Sequence, residues 1–140
     1  MKISSRGRYG IRLLIDLAEN AAESHVSLAS VAERKKLSVR YLEQVAVILR
    51  RAGFVRSVKG ASGGYTLTKK AGEIIIGDVL RALEGDMLVV DPPLPGSRET
   101  RLRLCIRKAL FNRMNDCIAA VIDRQTLAAM VSTADPGEVY

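Results

Sequence analysis

Side chains suited to binding nucleic acid are concentrated between residues 38 and 68. Arg40 and Gln44 carry guanidinium and amide groups that match the hydrogen-bonding edges of guanine and adenine in the major groove. Further along, Lys59 precedes a glycine-rich stretch in which the backbone can turn tightly and come close to a phosphate. Reading bases and holding phosphates are separate tasks in a complex, so both kinds of side chain in one segment predict DNA binding.

Two helices and a hairpin are predicted to position these side chains. Ser27 and Ser38 are favourable N-caps for two helices joined by a tight turn, and the second helix ends at Gly53. Two short apolar runs, at 54–55 and 65–67, then flank the basic, glycine-rich tip. This order is the layout of a winged helix-turn-helix, in which the second helix enters a major groove and the wing lies along the adjacent backbone.

The predicted DNA contacts come from the segment before the first helix, the recognition helix and the wing. They are Lys2, Ser5 and Arg6; Ser38, Arg40, Tyr41, Glu43, Gln44 and Arg51; and Lys59, Gly60, Gly63, Gly64 and Tyr65. Glu43 can accept from cytosine N4 or be an ordinary surface charge, and Tyr41 can contact DNA or pack against the wing. Lys59 is expected to reach a phosphate or the minor groove, while the wing glycines allow a tight turn and close backbone approach.

The net charge of +7 is unevenly distributed along the chain. Residues 1–70 contain 14 Lys and Arg against 5 Asp and Glu, whereas residues 71–140 contain 8 against 10. A basic N-terminal half favours a polyanionic partner, here double-stranded DNA. Two other interpretations stay open: the cations merely solvate helix surfaces, or the basic half binds an acidic protein without specific DNA binding.

Other classes of protein lack support in this sequence. The chain has one histidine, His25, and no paired carboxylates or Ser/His/Asp arrangement, so nothing points to an enzyme. His25 is interpreted as a solvated loop residue, and no metal site is expected. No apolar run reaches the length of about 18 residues that predicts a membrane helix. Two cysteines are too few for a disulfide framework, which favours the cytoplasm.

The chain as a whole is predicted to be mainly α-helical with a small β-wing. Its expected parts are a winged helix-turn-helix DNA-binding domain over 1–84, a proline-rich linker or sensor loop over 85–97, dimerisation helices over 98–131 and a tail over 132–140. The first helix is placed from Arg8 to about residue 22, with Asp16 on a face away from its apolar stripe.

The longest helical pattern, from Arg98 to about residue 122, carries a continuous apolar stripe. Its members recur every three or four residues: Leu102, Ile106, Leu110, Met114, Ile118 and Val121. A helix of about 24 residues is about 36 Å long, which is more than a domain of this size can cover alone. A second copy of the chain is therefore expected to cover the stripe, which predicts a homodimer.

Three stretches of the sequence resemble the Rrf2 family of winged helix-turn-helix transcriptional regulators. They are MKISSRGRYGIRLLIDLA at the N-terminus, YLEQ in the recognition helix and VKGASGGYTL in the wing. The resemblance implies a homodimer that binds an imperfect palindrome and represses transcription. Within the family the chain resembles the CymR-like branch, which lacks an iron–sulfur cluster. That branch implies control of cysteine or sulfur metabolism and a cysteine synthase-type enzyme as partner.

The segment expected to sense a signal departs from the iron–sulfur members of that family. Those members carry three closely spaced cysteines, whereas the matching segment here holds only Cys105. One thiolate cannot supply the ligands of a cluster, so no cofactor is expected. Cys117 lies about 18 Å further along the helix, which excludes an intrachain disulfide. Cys105 is a candidate redox residue, and a redox- or iron–sulfur-responsive regulator of the same family is the alternative.

Overall fold

The computed structural model describes residues 1–20 and 24–133. Its elements are α1 (Ser5–Asn20), α2 (Leu28–Lys35), α3 (Val39–Arg51), β1 (Val55–Val58), β2 (Gly64–Leu67), a 3-10 turn (Ala71–Glu73), α4 (Ile76–Glu84), α5 (Arg101–Ile106), a π-helical segment (Arg107–Phe111), α6 (Asn112–Ile122) and α7 (Leu127–Thr133). The predicted mainly α fold with a small β-wing is confirmed, since β1 and β2 pair antiparallel among helices. The predicted end of the first helix and most of the predicted tail lie outside the described residues. Across those that are described, no helix has the length and apolarity needed to cross a membrane.

The helix-turn-helix consists of α2 and α3, and both predicted N-caps are confirmed. Ser27 caps α2 by accepting a hydrogen bond from Ser30 N–H at 3.2 Å. Ser38 caps α3 by accepting from Tyr41 N–H at 3.3 Å. Between the helices, Lys36 adopts the left-handed conformation with a φ of 52°, which reverses the chain without a glycine.

Helix α1 begins at Ser5 rather than at the predicted Arg8. Its first turn is stabilised because the Ser4 hydroxyl accepts a hydrogen bond from Arg6 N–H at 3.2 Å. Ser5 and Arg6 therefore belong to the helix instead of to a segment that precedes it. Periodicity missed this turn because it contains no apolar residue to mark a buried face.

The hydrophobic core joins the winged helix to the end of the C-terminal half. Fully buried side chains come from α1, α2, α3, β1, α4 and α7 and include Leu13, Val31, Leu42, Val55, Val79 and Leu127. The backbone holds α7 in place, since Leu127 N–H donates to the Ile74 carbonyl at 2.9 Å. The last helix therefore packs into the winged domain, although the sequence grouped it with the dimerisation helices.

An ion pair with a buried carboxylate and a partly exposed guanidinium joins α1 to α2. Asp16 is 0% exposed, and its two carboxylate oxygens accept from Arg34 Nε at 2.9 Å and from Arg34 Nη2 at 2.7 Å. These hydrogen bonds raise the pKa of the Arg34 guanidinium. The prediction that Asp16 lies away from the buried face is wrong, because the cation that makes its burial tolerable comes from another helix.

The long helix, residues 101–122, is formed by α5, the π-helical segment and α6 without a break. It begins at Arg101 rather than at the predicted Arg98, because the Thr100 hydroxyl caps it by accepting from Arg103 N–H at 3.2 Å. In the π-helical segment, the N–H at the start of α6 donates to the Arg107 carbonyl, one residue further back than in an α-helix.

The π-helical segment keeps the apolar stripe on one side of the long helix. From Leu102 to Ile118 the stripe residues are four apart, and each such step overshoots a 3.6-residue turn by about 40°. A π turn contains one extra residue and takes back about 100° of this drift. Leu102 and Val121 thus return to nearly the same side, so the stripe is one surface and not a spiral.

Side chains of the winged domain attach the C-terminal end of the long helix. Arg81 donates to both carboxylate oxygens of Asp123, at 2.7 and 3.0 Å. The hydrogen bonds from Arg81 lower the pKa of Asp123. The stabilisation from this ion pair is therefore fully present at pH values above the ordinary carboxyl pKa. It is lost as the pH falls through the lowered pKa of Asp123 and the carboxylate becomes protonated.

Candidate nucleic-acid interface

Helix α3 presents a polar face to solvent. Its opposite face is buried through Leu42, Val45, Ala46 and Leu49. The exposed side chains include Arg40, Glu43, Gln44 and Arg51. Three of them, Arg40, Glu43 and Gln44, are three and four residues apart, so their donors and one carboxylate lie side by side. This is the chemistry with which a helix reads base edges in a major groove.

Ser38 and Tyr41 already have partners within the protein. The Ser38 hydroxyl is occupied as the N-cap of α3. Tyr41 is half-buried, and its ring meets the ring of Tyr9 edge-on, with centroids 4.9 Å apart at an angle of 81°. The aromatic partner of Tyr41 therefore lies in α1 and not in the wing. Both residues help to orient α3.

Helices α1 and α3 enclose a groove that brings together predicted contacts from both. Arg6, Tyr41 and Gln44 line it, together with Ser4, Val45 and Ile48. Arg6 is exposed, as are Lys2 and Ser5. The guanidinium of Arg6, which suits a phosphate, thus lies beside the amide of Gln44, which suits adenine. A phosphate contact next to a base contact is expected where a protein lies at the edge of a DNA groove.

The wing is a tight hairpin with a basic tip. Its register pairs Val55 with Leu67 and Val58 with Gly64, which leaves Lys59 exposed at the turn. Gly60 has a φ of +125°, a conformation that side chains rarely adopt. A Cβ on Gly63 would lie 2.4 Å from the Val58 carbonyl oxygen. These two glycines are therefore needed to form the turn that presents Lys59.

Gly64 and Tyr65 begin β2 and lie against Val26, next to the start of α2. Tyr65 and Val26 exchange two backbone hydrogen bonds, at 2.8 and 2.9 Å. A Cβ on Gly64 would lie 2.3 Å from the Val26 carbonyl oxygen, so glycine is required for this approach. The side chain of Tyr65 is half-buried and packs against the core. The structure therefore gives both residues a role in holding the wing.

His25 also holds the wing, which the sequence did not indicate. It is half-buried, and its Nε2 is hydrogen-bonded to the Ser62 carbonyl at the wing tip. His25 lies in a loop, as predicted, but it is only partly solvated, because its ring bonds the wing. The one signal in the sequence was Val26, a single apolar residue in a polar stretch, which pairs with the wing like a short third strand.

A polar recognition helix, a basic wing and a long helix behind them match a known family. The model of the Rrf2 family, described as an iron-dependent transcriptional regulator, matches residues 3–133. The chain belongs to the Rrf2 family. Among its Rrf2-family relatives, the HTH-type transcriptional regulator CymR of Bacillus subtilis (strain 168) is 39% identical over 138 residues, which cover 96% of this chain and 93% of that protein. Protein rrf2 of Nitratidesulfovibrio vulgaris is 35% identical over 138 residues, which cover 96% and 89%.

Solved structures are similar over the same length. The structure of CymR, described as the global cysteine regulator of B. subtilis, matches with a TM-score of 0.81 and 37% identity, over 96% of this chain and 99% of that one. The predicted resemblance to the Rrf2 family is confirmed, and so is the predicted function as a DNA-binding transcriptional regulator. The family is described as one of transcriptional regulators.

The residues of this Rrf2-family chain do not fit an iron–sulfur cluster. Cys105 and Cys117 are both exposed on the long helix. Within residues 1–20 and 24–133, no three His, Cys, Asp or Glu side chains are grouped so that they could hold a metal ion. A cluster needs about four ligands, usually thiolates, and the described part of one chain has no such set.

Proposed function

We propose that this protein is a homodimeric repressor that binds an imperfect palindrome in the cytoplasm and controls genes of cysteine or sulfur metabolism. The observation that carries the proposal is the exposed apolar stripe of the long helix behind a complete winged helix-turn-helix. A solved relative described as the global cysteine regulator of B. subtilis supports the choice of regulated genes.

The stripe has the composition of a subunit interface. Large apolar side chains stand in one row: Leu102 is 70% exposed, Ile106 41%, Leu110 50%, Met114 40% and Val121 63%. Ile118, the remaining member, is half-buried and packs against the chain's own core. Contiguous exposed apolar surface of this kind marks an interaction site. Pairing two long helices about a two-fold axis would present two recognition helices to half-sites about 34–36 Å apart.

DNA binding is proposed to be regulated without an iron–sulfur cluster. The regulating signal would be a partner protein, a small ligand or oxidation of Cys105. A cavity of about 510 Å³ between the loop at 90–99 and the long helix supports the ligand route. Its walls combine apolar side chains with the guanidinium groups of Arg98, Arg103 and Arg107. For the protein route, the proposed partner is a cysteine synthase-type enzyme, as the CymR-like branch implies.

Protein purified without oxygen should carry no iron–sulfur chromophore. The reason is the ligand set, because one chain brings two separate cysteines on one helix. Visible absorption together with iron and sulfide analysis measures this directly. Stoichiometric iron and sulfide in the wild-type protein would contradict the cluster-free assignment.

The same purified protein decides the thiol route. Cys105 and Cys117 are both exposed, so Cys117→Ser is a matched control for Cys105→Ser. Sensitivity of DNA binding to peroxide should be lost in Cys105→Ser and kept in Cys117→Ser if Cys105 is the switch. Equal sensitivity in both variants would leave the partner and ligand routes.

Two substitutions in the DNA-binding surface test the function itself. Lys59→Ala should weaken binding to every duplex and reduce the slope of log affinity against log salt, because a phosphate contact carries little sequence information. Gln44→Ala should mainly reduce discrimination, by about 1–3 kcal/mol at one base pair in each half-site, because a bidentate amide contact reads adenine. Competition between the operator and random duplex, over a salt series, separates the two effects.

The same titrations exclude the other class of function. A protein-interaction module with a basic surface would bind all duplexes equally, and neither substitution would change its preference. Loss of discrimination in Lys59→Ala, with uniform weakening in Gln44→Ala, would show that the assigned roles are exchanged.

A further inference from the structure

The carboxylate of Glu84 is held at the first turn of α1. Glu84 is the last residue of α4, and its Oε1 accepts hydrogen bonds from Ser4 N–H at 3.1 Å, Ser4 O–H at 2.6 Å and Gly7 N–H at 2.9 Å. The first turn of a helix has free N–H groups and a partial positive charge, which a carboxylate satisfies. This contact joins two elements that are about 80 residues apart in the chain.

Two glycines in α1 allow α4 to come this close. A Cβ on Gly7 would lie 2.4 Å from Glu84 Oε1, and a Cβ on Gly10 would lie 2.3 Å from Leu83 Cδ1. Glycine inside a helix is less favourable than alanine, because it loses more backbone freedom on folding. Gly7 and Gly10 therefore make α1 a less stable helix, but they allow Leu83 and Glu84 to pack closely against it.

The turn held by Glu84 is the one that carries candidate DNA contacts. Ser4 and Arg6 line the groove that Gln44 borders from the recognition helix. Lys2, Ser5 and Arg6 are all exposed on the same short segment. The position of their charges relative to α3 therefore depends on how the first turn of α1 is fixed.

We propose that Glu84 is a positioning residue for DNA binding. Its carboxylate fixes the first turn of α1 so that Arg6 and its neighbours reach the phosphate backbone while α3 reads the groove. Glu84 does not touch DNA, and as an anion it opposes binding by simple electrostatics. The inference rests on the proposed function, because it requires Arg6 to bind DNA.

The sign of the effect separates positioning from electrostatics. Removing an acidic group near DNA should strengthen binding or leave it unchanged if only charge matters. We expect Glu84→Ala to weaken operator binding about tenfold, because the phosphate contacts proposed for Lys2, Ser5 and Arg6 lose their preorganisation. Glu84→Gln, which keeps an oxygen acceptor, should stay within about twofold of wild type. Asp86→Asn, which removes a neighbouring exposed charge, should not weaken binding.

A double-mutant cycle then tests the route through Arg6. In the Glu84→Ala background, Arg6→Ala should cost much less than in the wild type, since its contact is already impaired. Lys59→Ala, in the wing, should cost the same in both backgrounds. Melting temperature and sedimentation of each variant show whether it remains folded and assembled. A merely structural role would reduce stability without this selective coupling.

Each outcome bears on one claim. Unchanged operator affinity in a folded Glu84→Ala, or additivity with Arg6→Ala, would overturn the positioning role. If Glu84→Ala does not fold, Ser4→Ala removes the shortest of the three hydrogen bonds together with the cap on Arg6 N–H, so it loosens the same turn and should weaken binding about threefold. Unchanged affinity there overturns the role equally. If Arg6→Ala and Lys59→Ala both bind as wild type does, the proposed DNA-binding surface fails and not only the inference about Glu84.

Discussion

Leu110→Glu should convert a dimer into a monomer and lower affinity for the palindrome by about 10²–10⁴-fold. Leu110 lies in the middle of the apolar stripe and is half exposed in the single chain. A glutamate there would be buried in the interface without a cationic partner, which is strongly unfavourable. Without the dimer, the two recognition helices lose their linkage, and each half-site is bound independently. Sedimentation and operator titration at the same protein concentration measure both effects.

Two controls separate loss of the interface from general damage. Leu110→Met keeps the volume and apolar character, so it should remain a dimer. Ala120→Glu places the same charge on the same helix, on an exposed residue two positions after Ile118 and so on the other side of the helix. It should also remain a dimer. Ile106→Glu should behave as Leu110→Glu does. A wild-type protein that is a folded monomer at micromolar concentration would remove the basis for the dimer and for a palindromic operator.

Arg34→Ala should destabilise the folded protein by about 3–5 kcal/mol, enough to unfold much of a marginally stable domain. The substitution leaves the carboxylate of Asp16, which is 0% exposed, without the two hydrogen bonds that compensate its burial. Chemical denaturation or the melting temperature of the variant measures the loss.

The neighbouring residue is a matched control for this pair. Lys35 bonds Glu19 at 3.4 Å, and the carboxylate of Glu19 is 30% exposed, whereas that of Asp16 is fully buried. An ion pair whose carboxylate stays in contact with water contributes only about 0–1 kcal/mol. Lys35→Ala should therefore have a small effect. Replacing Asp16 and Arg34 together with leucine should recover most of the loss, because no buried charge is left unpaired. Equal stability of Arg34→Ala and wild type would show that water reaches Asp16 in solution.

Local signals in the sequence were sufficient for the DNA-binding elements. Ser27 and Ser38 identified the starts of α2 and α3, because an N-cap acts within three residues of itself. The apolar spacing of α3 placed Arg40 and Gln44 on the exposed face. The wing was recognised from its glycines and its position directly after the recognition helix. Each of these patterns lies within a short stretch of neighbouring residues.

Contacts between distant segments were decided only by the tertiary structure. The burial of Asp16 depends on Arg34, the course of the wing depends on His25 and Val26, and the first turn of α1 depends on Glu84. No pattern along the chain predicts such pairs. Apolar periodicity shows which face of a helix is buried, but it does not show which residue of another element contacts that face. Likewise, the stripe from Leu102 to Val121 could be read in the sequence, but its alignment on one face required the π-helical segment. The π-helical segment is defined by its backbone hydrogen bonds between residues five apart, and the residue types in it do not specify that pattern.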